Sequence, residues 1–153
     1  LAAAAAAVLV AGLGGLMTDL GPWYASLKQP PWKPSDLWFG PVWTLIFALT
    51  ALAGVQAWTK LPAGSQRRRV MWLFAINILL NLWWSALFFR LHRPDWSLYE
   101  VGLLWLSILG LIISLRAVSR LASLLLVPYL AWVSFASVLN WWVVELNGPF
   151  SGL

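Results

Sequence analysis

Five long apolar stretches dominate this chain, at residues 1–17, 37–59, 70–89, 96–115 and 121–144, and only one of them contains a charge, Glu100. Each approaches the roughly 20 helical residues that cross a hydrocarbon core about 30 Å thick. Lipid offers the backbone no hydrogen-bonding solvent, so a crossing segment must be a helix or part of a closed barrel. None of the runs alternates apolar and polar residues as a membrane β-strand does. The expectation is an all-α membrane protein, a compact bundle of five transmembrane helices in one domain spanning residues 1–153.

Composition agrees. The 153 residues are 61% hydrophobic and 10% charged, whereas soluble domains carry about 25% charged residues. There is no cysteine, which excludes disulfides, thiolate catalysis and Cys-based metal sites. The net charge of +5 does not point to nucleic acid, because Arg67, Arg68 and Arg69 supply most of it within one short connection. Lys and Arg instead report topology. With five spans, the N-terminus and the connections at 59–69 and 116–120 share one side and hold six of the ten basic residues. That bias places the N-terminus inside and the 18–36 loop outside.

The alanine-rich start, Leu1 to Val10, lacks a preceding basic segment and reads as a first helix rather than a cleaved leader. Ala7, Ala11 and Gly15 follow one another at four-residue spacing, which would admit a close helix neighbour. Connections are short except for Thr18 to Asp36, whose Pro22, Pro30, Pro31 and Pro34 forbid a continuous helix. A long, aromatic, proline-stiffened loop in a small bundle is expected to act as a lid.

Helix periodicity then selects faces. Asn77, Asn81, Trp84 and Phe88 fall on one stripe of the third run, at offsets of four, three and four. Amides exposed to lipid would cost several kcal/mol each, so this stripe faces the interior. Trp43, Phe47, Thr50 and Gly54 form a matching stripe on the second run, and Tyr129, Trp132, Ala136 and Asn140 one on the fifth. Aromatic faces mixed with small and hydrogen-bonding residues suit a pocket for a rigid aromatic molecule. The same residues would also serve as interhelical glue. Trp58, Trp72 and Trp96 lie near span ends, where interfacial tryptophans collect, and Trp105 is expected to face lipid or another subunit.

Chemistry has little to build on. His92 is the only histidine and sits beside Arg90 and Arg93 in a connection, as an interfacial residue rather than a haem ligand. No carboxylate pair or nucleophile motif is present, so hydrolytic and metal catalysis are not expected. Glu100 is an acid within a span, by default a candidate for proton coupling. Its place one turn inside the fourth run suggests instead that it reaches water or pairs near Arg93.

Three blocks of sequence carry a family likeness. Trp23-Tyr24, then Leu27-Lys28-Gln29-Pro30-Pro31-Trp32-Lys33-Pro34 and Gly40-Pro41-Val42-Trp43-Thr44, resemble the lid and second-helix signature of the tryptophan-rich sensory protein, or translocator protein (TspO), family. Asn81-Leu82-Trp83-Trp84-Ser85 with Phe88-Phe89 is similar to its third-helix motif. Pro128-Tyr129-Leu130-Ala131-Trp132 with Phe135-Ala136 and Leu139-Asn140 is similar to its fifth.

The resemblance implies a homodimer of five-helix protomers in the bilayer, binding porphyrins such as protoporphyrin IX and haem, and in some members sterols or benzodiazepine-type drugs. No obligatory cofactor is implied, and the membrane would be the bacterial cell membrane, or the mitochondrial outer membrane in a eukaryote. Matched to the family motifs, the ligand-binding residues would be Trp23, Tyr24, Trp32 and Trp38 in the lid, Trp43 and Phe47 on the second helix, Asn81, Trp84 and Phe88 on the third, and Trp132, Ala136, Leu139 and Asn140 on the fifth.

Some positions depart from the family. The vertebrate sterol motif needs a basic residue after Arg120, and none exists, which argues against sterol recognition. Phe47 stands where Tyr is common, and Ser85-Ala86 lacks a proline, so any third-helix kink should be smaller. Some members are reported to break down porphyrin with light and oxygen, which makes Trp43 and Trp141 candidate redox residues, although Trp141 projects opposite Trp132 on an ideal helix. Gly102 and Gly110 are candidate dimer-face positions. A small proton-coupled exporter using Glu100 is the alternative from a different class.

Overall fold

The computed structural model describes residues 2–150, with the side chains of the first helix described only in part. Among these residues every regular element is helical: α1 (Ala2–Met17), α2 (Pro22–Ser26), a 3-10 turn Asp36–Trp38 leading into α3 (Phe39–Lys60), α4 (Ser65–Ser85), α5 (Pro94–Arg116), α6 (Arg120–Leu125) and α7 (Val127–Asn147).

Among the described residues, four stretches are long and apolar enough to cross a membrane: Asp36–Lys60, Ser65–Arg90, Pro94–Arg116 and Arg120–Asn147. At 16 residues, α1 rises only about 24 Å, short of a full crossing. It lies against α3 and α4. Ala11 is exposed, and a Cβ added at Gly15 would meet nothing within 4 Å. The small residues described here therefore seat no other helix within the chain, while the side chain of Ala7 lies outside the described residues.

The core forms around α5. Val101, Leu104, Ile108, Leu111 and Leu115 repeat at offsets of three and four, and each is buried, in a stripe that meets residues of α3, α4, α6 and α7. The outward faces are apolar as well: Leu45, Leu52, Trp72, Leu79, Leu103, Ile113 and Val138 are all exposed. Exposed apolar belts on every long helix are what a lipid-facing surface requires.

Two irregularities replace helices expected to be continuous. The 121–144 run is broken at Leu126, because Pro128 at the start of α7 has no N–H to give and its ring crowds the carbonyl four residues back. The Leu126 N–H turns instead to the carbonyls of Ser123 and Leu124. At the end of α4 the chain widens into a π-helical turn, Ala86–Arg90, closed by an i→i+5 bond from Leu91 N–H to the Ala86 carbonyl (2.9 Å). No proline is involved. The wider turn buries three consecutive side chains, Leu87, Phe88 and Phe89, which a regular α-helix would splay across different faces.

Candidate functional site

The 18–36 loop is fastened to the bundle at two places and braced internally at a third. Its short helix α2 presents Trp23 to His92, with ring centroids 4.2 Å apart and planes 7° from parallel. His92 adopts a left-handed backbone conformation (φ 53°), one that histidine tolerates better than most residues. The hydroxyl of buried Tyr24 donates to Asp36 Oδ1 (2.8 Å), and Lys33 bonds both Asp36 and the Tyr24 oxygen. Burial, followed by the hydrogen bond and charge of Asp36, raises the Tyr24 phenol above its ordinary range. Finally, Asn147 at the end of α7 grips the loop backbone: Lys28 N–H donates to Asn147 Oδ1 (2.7 Å), and Asn147 Nδ2 donates to the Lys28 carbonyl (2.8 Å).

Beneath the pinned loop lies a cavity of about 100 Å³. Tyr24 and Gln29 of the loop roof it, and Phe39 and Trp43 come from the start of α3. Trp84, Phe88 and Phe89 form the α4 wall, and Trp132, Phe135, Ala136, Leu139, Asn140 and Val143 the α7 wall. The π-helical turn lets Phe88 and Phe89 both reach this wall. The rings interlock edge to face, as Trp43 does with Trp132 (6.5 Å, 90°).

Polar groups behind the wall are satisfied. Asn140 Oδ1 accepts from Trp84 Nε1 (3.1 Å) and lies 2.9 Å from the Ser97 hydroxyl, while Asn140 Nδ2 donates to the Pro94 carbonyl (2.9 Å). Two groups lining the cavity are not. Both amide atoms of Gln29 and the indole N–H of Trp132 are buried without a hydrogen-bond partner. Leaving such groups unmade costs about 1–3 kcal/mol each, and both residues line the same cavity.

The TspO/MBR family profile matches residues 2–145. The chain belongs to the TspO/MBR family. Among its relatives, the Tryptophan-rich protein TspO of Chlorobaculum tepidum is 45% identical over 82% of this chain and 79% of its own. That of Archaeoglobus fulgidus is 35% identical over 96% of both chains. The Translocator protein of Sus scrofa is 33% identical over 91% of this chain and 86% of its own. With four apolar helices of spanning length, this member of the TspO/MBR family is a multi-pass membrane protein.

Of the residues singled out in the sequence, Tyr24, Trp43, Trp84, Phe88, Trp132, Ala136, Leu139 and Asn140 line the cavity. The others stand elsewhere. Trp23 braces the loop on His92, Trp32 is half exposed with its edge on Phe135, and Trp38 is exposed. Phe47 stacks behind Trp43 (5.4 Å). Asn81 donates to the Tyr129 hydroxyl (3.0 Å) and Asn77 to Ser107 (2.9 Å), so these amides tie helices together. Thr50 bonds within its own helix, to the Ile46 carbonyl. Trp141 is exposed on the outer side of α7 against Trp142.

Two expectations are overturned. Trp105 does not simply face lipid: its N–H donates to Ser134 (2.8 Å), joining α5 to α7. Glu100 neither reaches water nor pairs near Arg93. It is 6% exposed, both carboxyl oxygens lack a partner, and Arg93 is taken by Asp95. Gln29, Phe39, Phe89, Phe135 and Asn147 were not picked out as site residues. Gln29 lay inside the quoted loop motif, where it was the one uncharged polar side chain beside the prolines.

Proposed function

We propose that this protein is a membrane receptor or carrier for porphyrins, such as protoporphyrin IX or haem, and similar flat hydrophobic ligands, held in the cavity under the first loop. The observation that carries this reading is a largely aromatic cavity whose lining includes Gln29 and Trp132, two residues whose buried polar groups have no hydrogen-bond partner. Rings of Trp and Phe supply stacking area, and the two polar groups suit a carboxylate or carbonyl on the guest.

Size adds a condition. Ligand sites usually enclose about 300–1,000 Å³, and this cavity holds about 100 Å³, so in this reading the site widens around the ligand and the loop lifts to admit it. The loop is held to the rest of the bundle by the two Asn147 hydrogen bonds and by ring contacts of Trp23, Tyr24 and Trp32, each worth about 0.5–1.5 kcal/mol, so in this reading the loop opens by breaking several weak contacts. In this reading α1 is the fifth span, the loop lies on the outer side, and the membrane is bacterial. A homodimer would form through open small-residue faces such as those at Gly102 and Gly110.

Quenching of tryptophan fluorescence by protoporphyrin IX in the dark tests the site. Wild-type protein should quench saturably, and Gln29→Leu with Trp132→Phe should bind about tenfold more weakly, a loss of about 1.4 kcal/mol. Equal, linear quenching in both would mean partitioning into detergent and would sink the reading.

Glu100 supports a second reading, a small proton-coupled exporter. A buried acid with no partner in a spanning helix is a functional candidate. Glu100→Gln would abolish pH-driven efflux from vesicles on that reading and leave it unchanged on the first. The photochemical alternative leans on Trp43, which lines the cavity; unchanged photobleaching of bound porphyrin in Trp43→Phe would remove it.

A further inference from the structure

At the opposite end of α3 and α4 from the first loop, the chain forms a second, open groove of about 530 Å³ that the reading above does not use. Its lining includes Trp58, Arg67, Arg68, Met71, Trp72 and Ala75. We propose that this groove binds an anionic phospholipid, with the phosphate on Arg67 and Arg68 and an acyl chain laid along Met71, Trp72 and Ala75.

Arg67 is preorganised for such a contact. Its Nε donates to the Leu61 carbonyl (3.0 Å) and its Nη2 to the Trp58 carbonyl (2.8 Å), while the guanidinium carbon lies 4.2 Å from the Trp58 ring centroid. These bonds close the C-terminus of α3 and hold the guanidinium in one place, and none of them neutralises its charge. Arg68 is exposed one residue further on.

Charge complementarity selects the headgroup. No Asp or Glu occurs between Asp36 and Asp95 in the sequence, and the two ion pairs found among the described residues, Lys33–Asp36 and Arg93–Asp95, belong to the other end of the helices. The three arginines therefore face the membrane boundary with no internal counterion.

The apolar half of the groove selects a lipid over a free anion. Trp72 is 68% exposed one helical turn beyond Arg68, and Ala75 continues the same strip toward the membrane interior along a helix that spans it. A phosphate alone would leave that strip uncovered. Basic pockets beside spanning helices at the inner leaflet suit anionic headgroups, and the Lys and Arg distribution assigns this end to the inner side.

Native mass spectrometry of the full chain, released from micelles containing phosphatidylglycerol or phosphatidylcholine of equal chain length, tests the proposal. One phosphatidylglycerol should stay bound at concentrations where phosphatidylcholine does not. Arg68→Gln should weaken that adduct about fivefold, and Trp72→Ala should weaken it too. Arg69→Gln removes the same charge outside the groove and should leave the adduct intact. Free glycerol 3-phosphate should not displace the lipid.

Three results would each overturn the proposal. Equal retention of both lipids would mean greasy adhesion. An equal loss in Arg69→Gln would mean a diffuse field rather than a site. Displacement by glycerol 3-phosphate would mean an anion site that ignores the chains. Because Arg68 is exposed and caps nothing, its replacement tests binding without threatening the fold, and a thermal melt of each variant checks that.

Discussion

Asn147 and Tyr24 do different work on the same loop. The Asn147 amide matches the N–H and C=O of one residue, Lys28, so it recognises backbone and is indifferent to the side chain there. That is why it was illegible in the sequence: an asparagine whose partner is main chain leaves no complementary residue to find. Tyr24 was legible through its motif, but its partners Asp36 and Lys33 were not, since they lie 12 and 9 residues away on a loop without periodicity. The Tyr24 phenol is held above its ordinary value near 10, by burial first and then by the Asp36 bond and charge. Above pH 10 the unfolded chain therefore loses this proton before the folded one does, and stability falls as pH rises. Thermal melts should show wild type and Tyr24→Phe running parallel below pH 10, with wild type losing more above it. Curves that stay parallel throughout would show that Tyr24 is not buried as described.

Helices α3, α4 and α5 follow from composition, because uncharged apolar runs of spanning length have few other fates. Where the elements bend was harder to read. Pro128 sat in plain view, yet a hydropathy window spans it, since the residues on both sides are equally apolar. The π-helical turn has no such marker. Phe88 was expected on the pocket wall from a strict 3.6 period, and Phe89 was not, because that period would carry it about 100° around the helix. The wider turn brings both to the cavity. Deleting Ala86 should restore a regular helix and rotate one ring away. Circular dichroism should stay helical while porphyrin affinity falls about tenfold, or about 1.4 kcal/mol. Unchanged affinity would mean that the turn only absorbs strain.

Across the whole molecule, polar side chains do the joining that hydrophobicity cannot do in lipid. Asn140 serves three partners from α4, α5 and the start of α5, whereas Tyr129 and Asn81 share a single bond. Asn140→Leu should therefore cost about 1–3 kcal/mol by stranding buried groups, and Tyr129→Phe only about 0.6 kcal/mol. Denaturant titration in mixed micelles compares them, and equal losses would contradict this ranking. The same network explains why the stripes read from the sequence divided as they did. Asn81 and Asn77 sit deep and bond between helices, while Trp84, Asn140 and Trp132, nearer the loop, have a cavity to face. Periodicity assigns a side, not a depth.

In the function proposed above, the first loop gates the cavity. Because the chain has no cysteine, Lys28→Cys with Asn147→Cys would introduce a single disulfide at the point where the loop meets α7. Stopped-flow association of protoporphyrin IX should be at least about tenfold slower in the oxidised form, as for a binding-competent state whose population has been cut by that factor, and should recover on reduction. Equal association rates in the oxidised and reduced forms would place the ligand, or its entry, somewhere other than beneath this loop.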